Sequence, residues 1–405
     1  MGALTGYKVL DLSRILAGPW CSQILADLGA EVIKVERPYC GDDTRQWGPP
    51  WLKDNKKLDT QEAAYYLSAN RNKFSVAIDI STFEGQALIK KMVLDTDVLI
   101  ENYKTGTLKR YGLDYESLSK INPRLVYCSI TGFGQTGPRS KEPGYDFIIQ
   151  GMGGMMSVTG ERDDLPGGGP QKAGIALADL TTGLYSNIAI QAALLSRHQT
   201  GEGQYIDMAL LDTQIACMSQ LGTNYLVSEK IPGRYGNAHA NIVPYQVFKA
   251  LQGEFIIACG NDNQFTSLCQ SIGLAELLHN PKFSTNAQRV IHRDALIQIL
   301  QSHFLSDTAE NWVAKIHAVQ VPVGMINNIQ QALSEPQAIA RNMVVKIPHP
   351  LQSNYQMIGS PIKLSKTPVE YKKTPPLLAE DSNLILQRYL NEDEFTALKN
   401  KRIVQ

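Results

Sequence analysis

Hydrophobic and polar positions in the first third of the chain fall into short apolar, β-branched runs separated by helix-length segments. "YKVLDLS" (7–13) and "EVIKVER" (31–37) flank "PWCSQILADLGA", whose apolar residues recur at helical spacing and stop at Gly29. "FSVAIDI" (74–80), "DVLIENY" (97–103) and "RLVYCSITGFG" (124–134) repeat the strand pattern. "EGQALIKKMVLD" and "GTLKRYGLDYESLSKI" lie between them. Apolar runs joined by helices predict βαβ units and a parallel sheet covered on both faces. After Pro138 the pattern breaks into "GMGGMMSVTGERDDLPGGGP", a glycine-dense stretch that reads as a loop over a site. A helix follows from Leu180 to about Gln199, with Leu184, Ile188, Ala192 and Leu195 on one stripe, and stops at "TGEG". "QYIDMALLDTQIACMSQLGTNYL" adds a strand and a helix.

The period changes again beyond Ile231. "YQVFKALQGEFIIACG" predicts a hairpin turning at Gln252-Gly253, and helices are expected near 263–273, 293–306 and 308–317. The tail from Pro336 is proline-punctuated, ends in two short helical runs and has too little apolar sequence for a core of its own. A chain of 405 residues is too long for one ordinary core. The expected layout is a large α/β domain over 1–230, a smaller α+β domain over 231–335, and a C-terminal segment over 336–405 that returns to the large domain.

Composition narrows the function. Lys+Arg and Asp+Glu both number 39, a balance that argues against nucleic acid as a partner but leaves room for a local basic groove. Six scattered cysteines without a CxxC pair read as reduced thiols, and seven histidines without an HExxH array give a metal site no support. No run of about 18 uncharged apolar residues predicts a membrane span. No basic-then-apolar leader precedes "YKVLDLS", so a cytoplasmic location is expected, or the mitochondrial matrix if a transit peptide has been removed.

The first βα turn, "SRILAGPW", has one glycine where a dinucleotide site wants three, which disfavours NAD. Glu36 ends the second strand, and Arg37 after it suits a phosphate better than a ribose hydroxyl. "NRNK" (70–73) and "ENYKTGTLKR" (101–110) also fall near strand ends, where such sheets bind ligands. Lys73, Asn102 and Arg110 are candidates to hold a phosphorylated ligand and Tyr103 to offer it an aromatic face; the alternative is solvated loop charge.

"AGIALADLTTGLY" (173–185) sets one carboxylate, Asp179, in an apolar run just before a helix. Local chemistry favours a helix cap. The other reading is a reactive group in a dry cleft.

Taken in order, "LAGPW…ADLGAEVIKVERP", "NRNK", "ENY", "SITGFGQTGP", "GYDF" and "ADLTTGL…TGEGQYIDMALLD" resemble the class III (CaiB/BaiF-type) CoA-transferases. "AHANIVPYQVFKALQGEFIIACGN", "GDDTRQWGPP" and "YYLSANRNK" are similar to the branch that handles succinate, hydroxymethylglutarate and glutarate. The resemblance implies a Rossmann-like large domain completed by the C-terminal tail, a small domain and an interlocked homodimer. It implies Asp179 as nucleophile, with CoA contacts at Ile15, Leu16, Ala17, Arg37, Lys73, Asn102, Tyr103 and Arg110. A lysine found in some relatives falls near Pro143, with Lys141 or Arg139 as substitutes at hand. The glycine-rich lid loop of the oxalate-handling members is replaced by "GNAHAN" (236–241), which counts against the smallest substrates.

The expected reaction moves CoA from a donor such as succinyl-CoA to a dicarboxylic acid, through an aspartyl anhydride and an aspartyl-CoA thioester. CoA is then a substrate, and no permanently bound cofactor or metal is required. Arg45, Arg71 and His239 are candidates for the acid's second carboxylate; Tyr145 and Asp146 stand ready to orient the nucleophile or fix the "GYDF" turn. Backbone N–H groups near Gly153, Gly154 or 236–241 are candidate oxyanion donors. The rivals are an α-methylacyl-CoA racemase-like epimerase, CoA transfer to a monocarboxylic acid such as carnitine, and a CoA-binding protein without turnover. The racemase needs a histidine base where this chain has Tyr145, a poor base near neutral pH.

Overall fold

In the computed structural model, which describes residues 1–405, the apolar runs become strands in the expected order. The chain runs through β1 (Lys8–Asp11), α1 (Ala17–Asp27), β2 (Glu31–Glu36), a hairpin of β3 (Trp51–Lys53) and β4 (Asp59–Ala63), then α2 (Ala64–Ser68) and β5 (Lys73–Ala77). α3 (Phe83–Val93), β6 (Val98–Glu101), α4 (Thr107–Tyr111), α5 (Tyr115–Leu118) and β7 (Val126–Thr131) follow. α6 (Asp146–Met152), α7 (Met155–Val158), α8 (Leu177–Thr200), β8 (Tyr205–Ala209), α9 (Leu210–Ala216) and α10 (Ser219–Ser228) come next.

Six strands form one parallel sheet in the order β5-β2-β1-β6-β7-β8. Alternate residues bury against opposite layers, which is why both faces of each run are apolar. Leu10, Ile33, Val76 and Leu99 face Leu88, Ile89 and Met92 of α3. Val9, Val32, Val98 and Val126 face Cys21 and Leu25 of α1 and Ile190, Ala193 and Leu194 of α8. Thr82 starts α3 by accepting the Gly85 N–H, and Lys90 and Lys91 in its last turn complement the helix dipole.

The C-terminal residues join this unit. Ile385, Leu386 and Val404 are fully buried in the α3-side core. Asp381 exchanges two hydrogen bonds with Ser75 of β5, and Val404 bridges Ile78 beyond that strand's end.

Met1–Met155, Ala173–Val227 and Gln337–Gln405 make up this first compact unit; Met156–Lys172 and Ser228–Pro336 make up a second. The second unit contains β9 (Tyr245–Lys249), β10 (Glu254–Ala258), α11 (Asp262–Ile272), α12 (Asn286–Ile291), α13 (Arg293–Phe304), α14 (Ala309–His317) and β11 (Val323–Met325). Its antiparallel sheet, ordered β11-β10-β9, turns at Gly253 with φ +82° and packs Phe248, Phe255, Phe304 and Trp312 into one core. Residues 156–172, placed by the sequence reading in the large domain, group here instead: Arg234 pairs with Asp163, and the Gly236 N–H donates to the Gly160 carbonyl. The stretch read as a glycine-dense loop begins with two short helices, α6 and α7.

The stripe expected to bury α8 faces outward. Leu184, Ile188 and Leu195 are exposed, while Thr182, Gly183, Ser186, Asn187, Ala193 and Leu194 face the core. Close approach requires the glycine at 183: a Cβ there would lie 2.7 Å from the Ala17 carbonyl oxygen. No helix is long and apolar enough to cross a membrane, and the six cysteines are all free thiols.

Candidate active site

The carboxyl ends of β1, β6 and β7 converge on a cavity of about 210 Å³, the position where parallel sheets bind ligands. Ile15, Leu16, Ala17, Asn102, Tyr103, Tyr145 and Asp179 line it, together with Arg14, Lys104 and Thr105. Gly132 at the end of β7 lets the 142–145 loop close in, since a Cβ there would fall 2.6 Å from the Gly144 Cα.

Asp179 sits in the first turn of α8 but does not cap it. Ala176 occupies the capping position without a side-chain bond. The cap comes from Asp146 at the start of α6: its Oδ1 accepts the N–H groups of Ala178 at 2.8 Å and of Asp179 at 3.2 Å. The Asp179 carboxylate is therefore left partly buried and accepts no hydrogen bond from the protein. Burial first, and then the Asp146 charge, push it up to about 7. A helix N-terminus favours an ionised carboxylate, but here Asp146 already occupies the free N–H groups.

Tyr65 on α2 lies within electrostatic reach of the two carboxylates. Burial, followed by the charges of Asp179, Asp146 and Asp42, pushes its phenol up to about 12, and its ring packs edge-on against Trp47. Nothing in the local sequence around Tyr65 announced this position.

The wall opposite is a strained loop. Ile15 adopts φ +73°, a left-handed backbone that is costly for a β-branched residue. Asn102 holds it, accepting the Arg14 N–H at 2.8 Å and donating to the Arg14 carbonyl at 2.7 Å. Asp42 accepts the Ile15 N–H at 3.2 Å. The amide of Asn102, read from sequence as a ligand contact, is thus engaged with the loop itself. Glu101, pushed up to about 7 by burial, accepts the Tyr103 N–H at 2.8 Å and fixes that residue.

Arg37 opens onto an adjoining cavity of about 350 Å³ that shares Arg14 and Tyr103 with the first. Arg14 was missed by the sequence reading. Its guanidinium stacks 5.5 Å from the Tyr103 ring centre, bonds Asp43 at 2.9 Å and leaves Nε buried without a partner.

Three predicted cations do not open onto these cavities. Lys73 is fully buried, pairs with Asp11 at 3.3 Å, and donates to Pro19 and Asn70 at 2.9 Å; burial brings it down to about 8. Arg45 forks onto Glu36 with two bonds of 2.8 Å and lies 3.7 Å over Tyr66. Arg71 forks onto Asp27 at 2.9 and 2.5 Å. Each is held by an internal carboxylate that sequence spacing cannot reveal. Arg110 is exposed on α4 and lines neither cavity. His239 lies in the second unit, where its Nδ1 accepts the Asn241 N–H. The Gly153 N–H is taken by the Ile149 carbonyl at 2.7 Å and is not free for an oxyanion.

The family model for CoA-transferase family III matches residues 4–382. The chain belongs to CoA-transferase family III. A succinate–glutarate CoA-transferase of Agrobacterium fabrum is 46% identical over 383 residues, covering 95% of this chain and 94% of that protein. The succinyl-CoA:glutarate CoA-transferase of Homo sapiens is 42% identical over 391 residues, covering 96% and 87%. The crystal structure of a CAIB/BAIF family protein from Brucella suis superposes with a TM-score of 0.84 at 46% identity, covering 96% of this chain and all of that one. This protein is accordingly an enzyme, a CoA-transferase with the mixed α/β fold of that family.

Proposed function

We propose that this transferase moves CoA from succinyl-CoA to glutarate, with Asp179 as the covalent carrier. The observation that carries the reading is the Asp179 carboxylate: partly buried, unbonded, and turned onto a cavity beneath the loop that the resemblance assigns to CoA. The choice of acids is supported by the names and near-complete overlap of the relatives.

The ionised carboxylate attacks the thioester carbonyl, a mixed anhydride forms and CoA thiolate leaves. The thiolate attacks the aspartyl carbonyl, which yields an aspartyl-CoA thioester and frees succinate. Glutarate then attacks that thioester, CoA leaves again as thiolate, and its attack on the glutaryl carbonyl of the new anhydride restores Asp179. One thioester is exchanged for another. Ile15, Leu16, Ala17 and Tyr103 would flank the thioester arm, and Arg14 and Arg37 would meet the phosphates in the adjoining cavity. Arg45, Arg71 and Lys73, engaged inside the fold, have no part in it.

The protein would act as a homodimer in the cytoplasm or the mitochondrial matrix. The outward face of α8 supports the dimer: Leu184 and Ile188 join Trp20, Ile24, Trp51 and Met357 around an apolar groove of about 780 Å³. Ile188→Glu is expected to sediment as a monomer; an unchanged dimer would remove this face from the interface.

Incubation with succinyl-CoA followed by borohydride or hydroxylamine should modify the peptide carrying Asp179, and a panel of acids should show glutarate among the best acceptors. Full exchange by Asp179→Asn would refute the mechanism. Exchange confined to monocarboxylic acids would refute the substrate assignment.

A further inference from the structure

Gln150 has no place in the reaction as written, yet it is fully buried and makes three hydrogen bonds around the start of α8. It stands one helical turn after Asp146 on α6, so the two side chains share a face. Its amide nitrogen donates to Asp146 Oδ2 at 2.7 Å and to the Ile175 carbonyl at 3.4 Å. Its amide oxygen accepts the Ala173 N–H at 2.8 Å. One oxygen of Asp146 is thus tied to Gln150 while the other caps α8, and the same glutamine ties down the segment that leads into Asp179.

We propose that Gln150 is a positioning residue, which locks the Asp146 carboxylate against the N-terminus of α8 and so fixes the negative charge beside which Asp179 must work. This rests on the reading of Asp179 as nucleophile. The consequence is chemical as well as structural. While Asp179 is a free carboxylate, the neighbouring charge opposes it and makes it the stronger base and nucleophile. Once Asp179 is acylated its charge is gone, and so is the repulsion. A firmly held Asp146 therefore favours loading of the carrier. A mobile one would swing toward solvent and lose that effect.

Few other charges compete for this role. Tyr65 on α2 is electrostatically coupled to the pair, and the cavity wall adds Tyr103, Tyr145, Arg14, Lys104 and Glu142. Of the helices packed on α8, α9 carries only the exposed Asp212, and α1 carries Cys21 and the Arg71-paired Asp27.

The test is the pH profile of kcat/KM for succinyl-CoA, whose acid limb reports Asp179 in the free enzyme. Gln150→Leu removes the donor to Asp146 and should move that limb to lower pH by about half a unit to one unit. Made in the Asp146→Asn background, the same substitution should move the limb no further. Gln150→Met keeps the length of the side chain, removes the same donor and should move the limb the same way. It also remains informative if the leucine variant does not fold. A downward shift that vanishes in the Asp146→Asn background supports the proposal, because a role in packing alone would lower the plateau without moving the limb. Limbs that stay in place in the variants that fold, with Asp179→Asn inactive, overturn the positioning role and leave the nucleophile intact. An active Asp179→Asn would overturn both.

Discussion

Asp146 and Asp179 share a single helix terminus: the first accepts the backbone N–H of the second at 3.2 Å, and the side chain of the second goes without a donor. A carboxylate that a local reading takes for a cap is released from that task by another carboxylate 33 residues earlier in the chain.

Asp146→Asn removes the neighbouring charge while retaining an oxygen able to cap α8. Burial remains the larger cause of the raised Asp179 value, so the acid limb of kcat/KM should fall from near 7 by about one unit rather than return to an ordinary carboxylate value. Relative activity at pH 6 should rise. A limb that does not move would show that the two charges are uncoupled.

The raised value of Asp179 also costs stability. In the unfolded chain the group ionises near 3.8, in the folded protein near 7. At pH values below both it is neutral in each state and contributes nothing. As pH rises from about 4 to 7 the unfolded state loses its proton first and stability declines, then levels off. Asp179→Asn should therefore be more stable than the parent above pH 7, by on the order of 2 kcal/mol, with the gap closing toward pH 4. Thermal melts at both pH values measure it.

Asn102→Ala leaves Ile15 in its left-handed conformation without the two side-chain bonds that hold the loop. The loop should relax, and KM for the acyl-CoA donor should rise about tenfold, equivalent to ~1.4 kcal/mol, with a smaller effect on thermal stability. Unchanged KM would separate the loop from donor binding.

Lys73→Met should act on folding and not on CoA. It strands the buried Asp11, which also accepts from Ser13 and Ser22, and should cost about 3 kcal/mol. The folded fraction should bind CoA as the parent does. A selective loss of CoA affinity in a stable Lys73→Met protein would return this lysine to the binding site.

The sheet was legible because a strand buried on both faces writes its state into consecutive apolar residues, as Val98–Ile100 and Val126–Cys128 do. Asp179 was legible because a lone acid in an apolar run is conspicuous. What sequence could not supply was partnership. Arg45, Arg71 and Lys73 look like free cations until Glu36, Asp27 and Asp11 are seen against them. The orientation of α8 was lost for a related reason: its buried face includes Gly183, Ser186 and Ala193, whereas Leu184, Ile188 and Leu195, the apolar residues that mark a buried stripe, point away. Gln150 carried a detectable signal, an amide one turn after an acid at a helix start, whereas Tyr65 carried none.

The pairing of Ile78 with Val404 joins opposite ends of the chain at the edge of the parallel sheet. During synthesis that edge stays open until almost everything else, including the whole second unit, has left the ribosome. All six strands, which end at Ala209, are out before most of the second unit, but the backbone of β5 stays unpaired at its outer border, and a chaperone that shields this border until residue 404 arrives would protect the nascent enzyme from sticking to its neighbours.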